Sequence, residues 1–163
     1  MDVSDAAQHL QWTKSHMPLM RTIAAEFDET QPFRGIRIGV SLHLEVKTAV
    51  LLLALRRGGA DVVAAGNYGT TQDEIVALLR ENGSDARGSG SDSRDEHLAT
   101  VQSVVEAKPD LLLDNGADLL ALAIDLGVPV LGATEETTSG HMRLVSELAS
   151  LVTVPVIVIN DSP

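Results

Sequence analysis

The sequence predicts an α/β, Rossmann-like three-layer domain with a mostly parallel sheet, and three observations predict it. Apolar runs of strand length alternate in order with segments of helical periodicity. The core has to be aliphatic, because Trp12, Phe27, Phe33 and Tyr68 are the only aromatic residues of the benzene and indole types. Such a core suits layered Leu, Val, Ile and Ala packing rather than an aromatic-rich sandwich or a base-stacking platform. The segments that follow the apolar strands collect the polar and ionisable residues.

Taken in order, residues 5–27 read as helix, with Leu10, Met17, Met20, Ala24 and Phe27 near helical spacing and a break after Met17 imposed by Pro18. A polar turn from Asp28 to Gln31 leads to a strand at Ile36–Val40 and a helix running through Leu55. Arg56, Arg57, Gly58 and Gly59 close that helix with cations and a glycine stop. A strand at Asp61–Ala65, a loop at Gly66–Thr71 and a helix at Gln72–Arg80 follow. The stretch Gly83–Ser93, rich in Gly, Ser and Asp, reads as a flexible loop or, in preference, a weak edge strand near Ala86 in an exposed setting. Ser93 and Glu96 form a capping-box pattern that opens a helix through Glu106. Strand Asp110–Leu113, helix Ala117–Leu126, strand Val128–Leu131, helix His141–Leu151 and strand Val156–Ile159 complete the pattern. Regular alternation implies parallel β-α-β units with right-handed crossovers. One domain over residues 1–163, without a linker or repeat, accommodates all of it.

Composition excludes several classes of function. Hydrophobic residues make up 44% and charged residues 21%, which fits a folded chain rather than a disordered one. A net charge of −11, with Arg56-Arg57 the only adjacent basic pair, argues against nucleic acid as a partner. Without cysteine there is no disulfide, thiolate metal site or cysteine nucleophile, which accords with a cytoplasmic location. The N-terminal MDVSDAAQHLQW does not read as a secretory signal, and no apolar run approaches the ~20 residues of a membrane span.

In parallel sheets ligands sit at the carboxyl ends of strands. Four segments there carry candidate chemistry. Ser41–Ala49 places His43, Glu45 and Lys47 within five residues where a strand becomes a helix. These side chains converge on a ligand, or they are a helix start with a favourable Glu and a solvated Lys. Asn67–Glu74 reads as a capping box of Thr71 and Glu74, or as a loop whose small residues let amides approach a carboxylate. Asp114–Asp118 reads as an Asn-Gly turn, or as a strand end aiming Asp114 and Asn115 into a cleft. Glu135–Gly140 reads as an N-cap, or as carboxylates and hydroxyls that recognise a ribose. His9, His16, His97 and His141 show no metal-ligand spacing and read as surface or helix-end residues, so no metal site is expected. Gly88-Ser89-Gly90 lacks the third glycine of a dinucleotide fingerprint and a convincing strand before it.

Taken together, these pieces resemble the adenosylhomocysteinase family in order along nearly the whole chain. The resemblance is carried by His16-Met17-Pro18, Gly35–Ile38, Ser41-Leu42-His43, Lys47–Leu51, Gly59–Val62 with Asn67 and Thr71-Gln72-Asp73, Leu113–Asp118, Glu135–Gly140 and Asn160-Asp161-Ser162. It implies a nucleoside thioether substrate and tightly bound NAD, which oxidises the ribose 3′-hydroxyl so that homocysteine leaves by elimination. By position, the resemblance makes His43 an acid/base near the 5′ carbon and gives Glu136 the ribose hydroxyls. It sets Thr137, Thr138 and Ser139 near the sugar and cofactor. Glu45, Lys47 and Thr48 fall where the purine is read, and Asn67, Thr71 and Gln72 at the amino-acid end.

Departures from the family pattern matter as much. Asn115 stands where the family usually has a catalytic Asp, and an amide cannot take up a proton as a carboxylate does. Glu45 and Lys47 resemble the form of a branch that includes archaeal members, and imply an altered base preference. The sequence reaches Pro163 short of the Lys and Asp that the family uses around the 3′-hydroxyl. The expectation is therefore a substrate-binding half without an NAD-binding domain, inactive alone. Its partner would be a complementary NAD-binding chain or a second copy of itself. Two other readings are a stand-alone non-redox enzyme acting on a nucleoside-like molecule through His43 and Glu136, and a binding protein without turnover.

Overall fold

The computed structural model describes residues 3–161. Ser162, the last residue of the Asn160–Ser162 match, and the first two residues of the N-terminal segment lie outside the described residues. The fold is α/β, with a six-stranded sheet, parallel in every pairing, in the order β3-β2-β1-β4-β5-β6.

Pro18 divides the first predicted helix into α1, Val3–Ser15, and α2, Pro18–Thr30. Pro18 occupies the first position of α2, where its missing N–H costs nothing. The predicted polar turn at Asp28–Thr30 is the last turn of α2, and left-handed Gln31 ends it by donating its N–H to Phe27 O. β1, Arg37–Leu42, extends two residues beyond the predicted strand, since Ser41 and Leu42 pair with Ala65 and Gly66 of β2, Asp61–Gly66. Between them α3, Val46–Arg57, ends as predicted on its basic pair and Gly58. α4, Asp73–Glu81, leads to the short edge strand β3, Asp85–Arg87. Ser93 and Glu96 form the capping box expected at the start of α5, Arg94–Glu106. β4, Leu111–Asp114, and α6, Asp118–Asp125, follow within a residue of prediction.

The register departs after α6. The predicted strand Val128–Leu131 is an extended approach segment, and the strand itself, β5, is Gly132–Glu135. Pro129 has no N–H for a ladder, and Val128 N is spent on Ala123 O at the end of α6. Val128 and Val130 still pack on the core, so their apolar signal reports burial rather than pairing. α7 is Thr138–Ser146, earlier than predicted because Thr137 caps it, and Leu148 N turns back to Arg143 O after its end. β6, Val156–Val158, precedes a 3-10 turn at Ile159–Asp161.

Alternation along the strands sorts the core into two layers. Ile38, Val40 and Leu42 of β1 with Val62 and Ala64 of β2 pack against α1, α3 and α4. Val63, Ala65, Leu112 and Ala133 face α5, α6 and Leu144 of α7 on the other side. The first layer of helices stops at β1 and does not extend over β4, β5 and β6. A trough of about 640 Å³ is left there, lined by Leu51 and Leu55 of α3, Leu111 and Leu113 of β4, and Ile157 and Ile159 beyond them. Parallel sheets are normally covered on both faces. Leu131, Ile157 and Ile159 instead stand exposed. No helix among the described residues is long and apolar enough to cross a membrane.

Candidate functional site

The sheet order reverses its winding between β1 and β4, and the crevice of such a sheet opens at the carboxyl ends of the strands flanking that switch. There the structure brings together His43, Glu45, Thr48, Thr70, Gln72 and Glu136 around a cavity of about 470 Å³. In dinucleotide-binding sheets the turn after the first strand is glycine-rich, so that backbone can approach a pyrophosphate. Here the turn is His43-Leu44-Glu45, which has no glycine.

His43 is fixed by a residue that sequence reading overlooked. Its Nδ1 lies 2.6 Å from the Thr70 hydroxyl oxygen, which also reaches Asn67 O at 3.2 Å. Thr70 has one proton. With that proton on Asn67 O, the imidazole donates from Nδ1 and Nε2 keeps its lone pair, the state a general base needs. A hydroxyl across from a strand-end His leaves no local pattern in the sequence, because the two are 27 residues apart.

The segment carrying Thr70 is braced on the first unit, with Asn67 N on Leu42 O and Gln72 N on Leu44 O. Thr71 does not form the predicted capping box with Glu74. It is buried, and its hydroxyl donates to Asn67 O at 2.7 Å, while Gln72 is the N-cap residue without a side-chain bond. The hydroxyl's loop bond runs beside that of Thr71 N–H, which donates to the same Asn67 O. Thr71 and Asn67 thus shape the loop, and Gln72 reaches the cavity. Gly90 serves the same packing, since a Cβ there would stand 2.4 Å from Thr71 O. His97 is not a surface residue: it is 6% exposed, and its Nδ1 lies 3.1 Å from Gly66 O.

Glu45 lines the cavity, whereas the Lys47 side chain is 68% exposed and meets Glu45 only at 3.9 Å. Asn115 and Glu136, from neighbouring strand ends, are joined by a 2.8 Å bond from Asn115 Nδ2 to Glu136 Oε1. Glu136 is further held by its own N–H on Asp114 O. Thr137 caps α7 by accepting from Gly140 N, the Ser139 hydroxyl donates to Thr137, and Thr138 accepts from Asn160 Nδ2. Thr138 and Ser139 remain exposed at the rim.

Beneath these residues lie two buried carboxylates. Asp114 points away from the cavity, into the start of α6, where it accepts from Leu120 N and Asn115 N at 2.9 Å each. Burial pushes its carboxyl up to about 7, against the downward pull of those amides. Glu135, 1% exposed, accepts from Gly116 N, Ala117 N, Thr137 N and the Thr137 hydroxyl at 2.6–3.0 Å. The sequence offers both adjacent carboxylates for a ribose, and the structure leaves that role to Glu136 while Glu135 is buried. The clue to Glu135 is the strand's alternation, which turns one of two adjacent carboxylates inward.

Comparison with known proteins identifies the family. The family model described as S-adenosyl-L-homocysteine hydrolase matches residues 3–129. The chain belongs to that family. An adenosylhomocysteinase of Pyrococcus abyssi is 38% identical over 97% of the chain and 39% of its own length. An S-inosyl-L-homocysteine hydrolase of Methanopyrus kandleri is 38% identical over 94% of the chain and 38% of its own length. One from Methanococcus maripaludis is 37% identical over 94% and 38%. The chain therefore spans about two fifths of the length of the curated relatives it matches.

Asp114 gives the fold a pH dependence. Its carboxyl titrates near 7 when folded and near 3.8 when free, so between those values the native state holds a proton that the unfolded chain has released. The stability that this proton contributes is complete below about pH 4 and is lost as pH rises through about 7. Urea midpoints measured across that window should fall with rising pH in the wild type. Asp114→Asn should flatten this slope, and an equally steep slope in the variant would assign it elsewhere.

Proposed function

We propose that this chain is the substrate-recognising part of a thioether hydrolase acting on a homocysteine nucleoside, with adenine or hypoxanthine as the base. The observation that carries this reading is the cavity at the switch point, where His43, Glu45, Gln72 and Glu136 meet in a chain of this family. Glu136 presents a carboxylate for ribose hydroxyls, and Asn115 orients it. In this reading His43 Nε2 exchanges a proton with the sulfur that leaves, or the water that adds, at the 5′ carbon. Glu45 and Thr48 read the base, and Gln72, on the loop shaped by Asn67 and Thr71, faces the amino-acid end.

The chain's own residues fit NAD only at its edge. Thr138 and Ser139 offer exposed hydroxyls at the rim, but the turn after β1 has no glycine to admit a pyrophosphate. When bound, NAD supplies reversible oxidation of the ribose 3′-hydroxyl, which acidifies the neighbouring hydrogen. Its binding surface belongs, in this reading, to the length that relatives carry beyond the shared span. That same length is the occupant we assign to the bare trough. A second copy suits it poorly, since each chain carries −11 and the exposed Glu136 carboxylate stands at the trough's site end. A neutral or basic polypeptide with an aliphatic helix face fits both the apolar wall and the acidic end. The cysteine-free composition accords with assembly in the cytoplasm.

Asn115 favours a second reading, recognition without turnover, because an amide in a proton-accepting position supports binding but not transfer.

Base preference follows from Glu45 and Lys47. Lys47 is free to swing toward a purine, where its ammonium donates to the carbonyl oxygen of hypoxanthine, whereas adenine presents an amino group there. A charge-assisted hydrogen bond of ~1.5–3 kcal/mol corresponds to about tenfold or more in affinity. Calorimetry should show S-inosylhomocysteine binding more tightly than S-adenosylhomocysteine by that margin, with Lys47→Met removing the difference. Equal affinities for both in the wild type would contradict the assignment, and no binding of either would contradict the substrate reading.

The trough is tested by mixing the chain with the part of the Pyrococcus abyssi relative that lies beyond the shared span. Light scattering should report a one-to-one complex that Ile157→Asp abolishes. Homodimers sensitive to Ile157→Asp, or no complex at all, would overturn the assigned occupant.

A further inference from the structure

Glu135 is the most enclosed ionisable side chain of the protein's site region, and it touches neither the cavity nor any cationic side chain among the described residues. Everything around it is built to receive a carboxylate. Gly116 and Ala117 follow one another in the left-handed region, with φ of 86° and 59°, so their N–H groups converge. Successive amides arranged in this way form an anion-binding nest. Oε1 accepts from Gly116 N at 3.0 Å, and Oε2 accepts from Ala117 N at 2.8 Å. From the other side Oε1 takes Thr137 N at 2.7 Å and the Thr137 hydroxyl at 2.6 Å. Gly140 leaves the room required, since a Cβ there would lie 2.2 Å from Glu135 Cδ. A non-glycine residue at φ of 59° is strained, and Ala117 adopts that conformation where its N–H meets Glu135.

The nest belongs to the turn that starts at Asn115, and Thr137 belongs to the turn that starts at Glu136. We propose that Glu135 is a positioning residue. Its carboxylate is an internal anion around which the β4–α6 and β5–α7 turns fold, and it thereby sets the Asn115–Glu136 pair that faces the cavity. The side chains of the pair are exposed or half-buried and have no other anchor to each other than the 2.8 Å bond, so their separation is fixed from below. Arg143 supports the same turn from outside, with Nη1 donating to Gly116 O at 2.9 Å and Asp118 at 2.6 Å. Arg143 reaches that turn from α7, and Glu136 N–H is tied to Asp114 O, but Glu135 is the side chain that takes amide N–H groups from both turns.

Glu135→Gln tests this with little change of volume. Kept in its best orientation, the amide retains an oxygen toward Gly116 and Thr137 but turns an NH2 against Ala117 N–H. The turn must then relax, and the Asn115 side chain should leave Glu136. Heteronuclear NMR of the intact chain reads this directly. In the wild type the Asn115 side-chain amide protons should be well separated, and the Gly116 and Ala117 amides slow to exchange. In Glu135→Gln the Asn115 pair should move to solvent-like shifts, and the Ala117 amide should exchange at least about tenfold faster, a loss of ~1.4 kcal/mol of local protection. Leu79→Ala, a core change on the opposite layer, controls for lost stability and should leave the Asn115 signals in place. Unchanged Asn115 signals in Glu135→Gln, with only a lower Tm, would reduce Glu135 to a stabilising residue. Should Glu135→Gln fail to fold, the wild type decides: fast-exchanging Gly116 and Ala117 amides would overturn the proposal. The meaning of the pair for substrate rests on the function proposed above. The NMR outcomes need no ligand, so failure of that function and failure of this inference are distinguishable.

Discussion

Two carboxylates buried side by side at the ends of adjacent parallel strands set the terms for the rest of this molecule. Asp114 and Glu135 are register partners of β4 and β5, and each is almost wholly removed from water. An unpaired charge in such a place is costly, and removing one of the groups that satisfy it leaves the penalty exposed. The chain meets the demand with backbone amides. Asp114 organises the first turns of α6, and Glu135 gathers the turns before α6 and α7. Helix starts and site loops are therefore one structure. Asn115 and Glu136 stand next in sequence to these two acids because alternation sends one residue inward as a brace and its neighbour outward to the cavity.

One layer of the domain is incomplete among the described residues. Helices α5, α6 and α7 cover one face of the sheet, while the opposite layer stops at α3 and leaves β4, β5 and β6 bare. The bare trough runs up to Asp114 and Glu136, so whatever covers it also closes one side of the cavity. In the assembly proposed above, covering the trough and closing the cavity are a single event. An aliphatic surface gives the affinity, and exclusion of water strengthens every polar contact at the site end.

Much of the fold was legible because aliphatic strands alternate with helical periodicity, and the breaks at Pro18, Gly58 and Ser93 are local chemistry. The error at Val128–Leu131 came from reading an apolar run as a strand when it is an approach segment packed on the core: Pro129 has no N–H, Val128 N is spent at a helix end, and pairing begins as Leu131 N reaches Asp110 O. Thr71 looked like a cap and became a loop brace, because Asn67 O, four residues back, competes for its hydroxyl. Of the predicted site residues, His43, Glu45, Thr48, Gln72 and Glu136 do converge, Asn115 joins through Glu136, and Lys47 stands outside in solvent. Thr70, and Glu135 as a brace, escaped because each acts across a strand-to-strand separation that no local motif records.

The central claim is that the cavity at the β1–β4 switch receives a homocysteine nucleoside. Its most direct measurement is a titration of the isotope-labelled chain with S-inosylhomocysteine and S-adenosylhomocysteine, followed residue by residue. The account predicts saturable shifts centred on His43, Glu45, Thr70, Gln72, Asn115 and Glu136, with β3 and the far ends of the helices unmoved. Saturable shifts confined to the trough at Leu111, Leu131 and Ile157, or to any surface away from those strand ends, would contradict it.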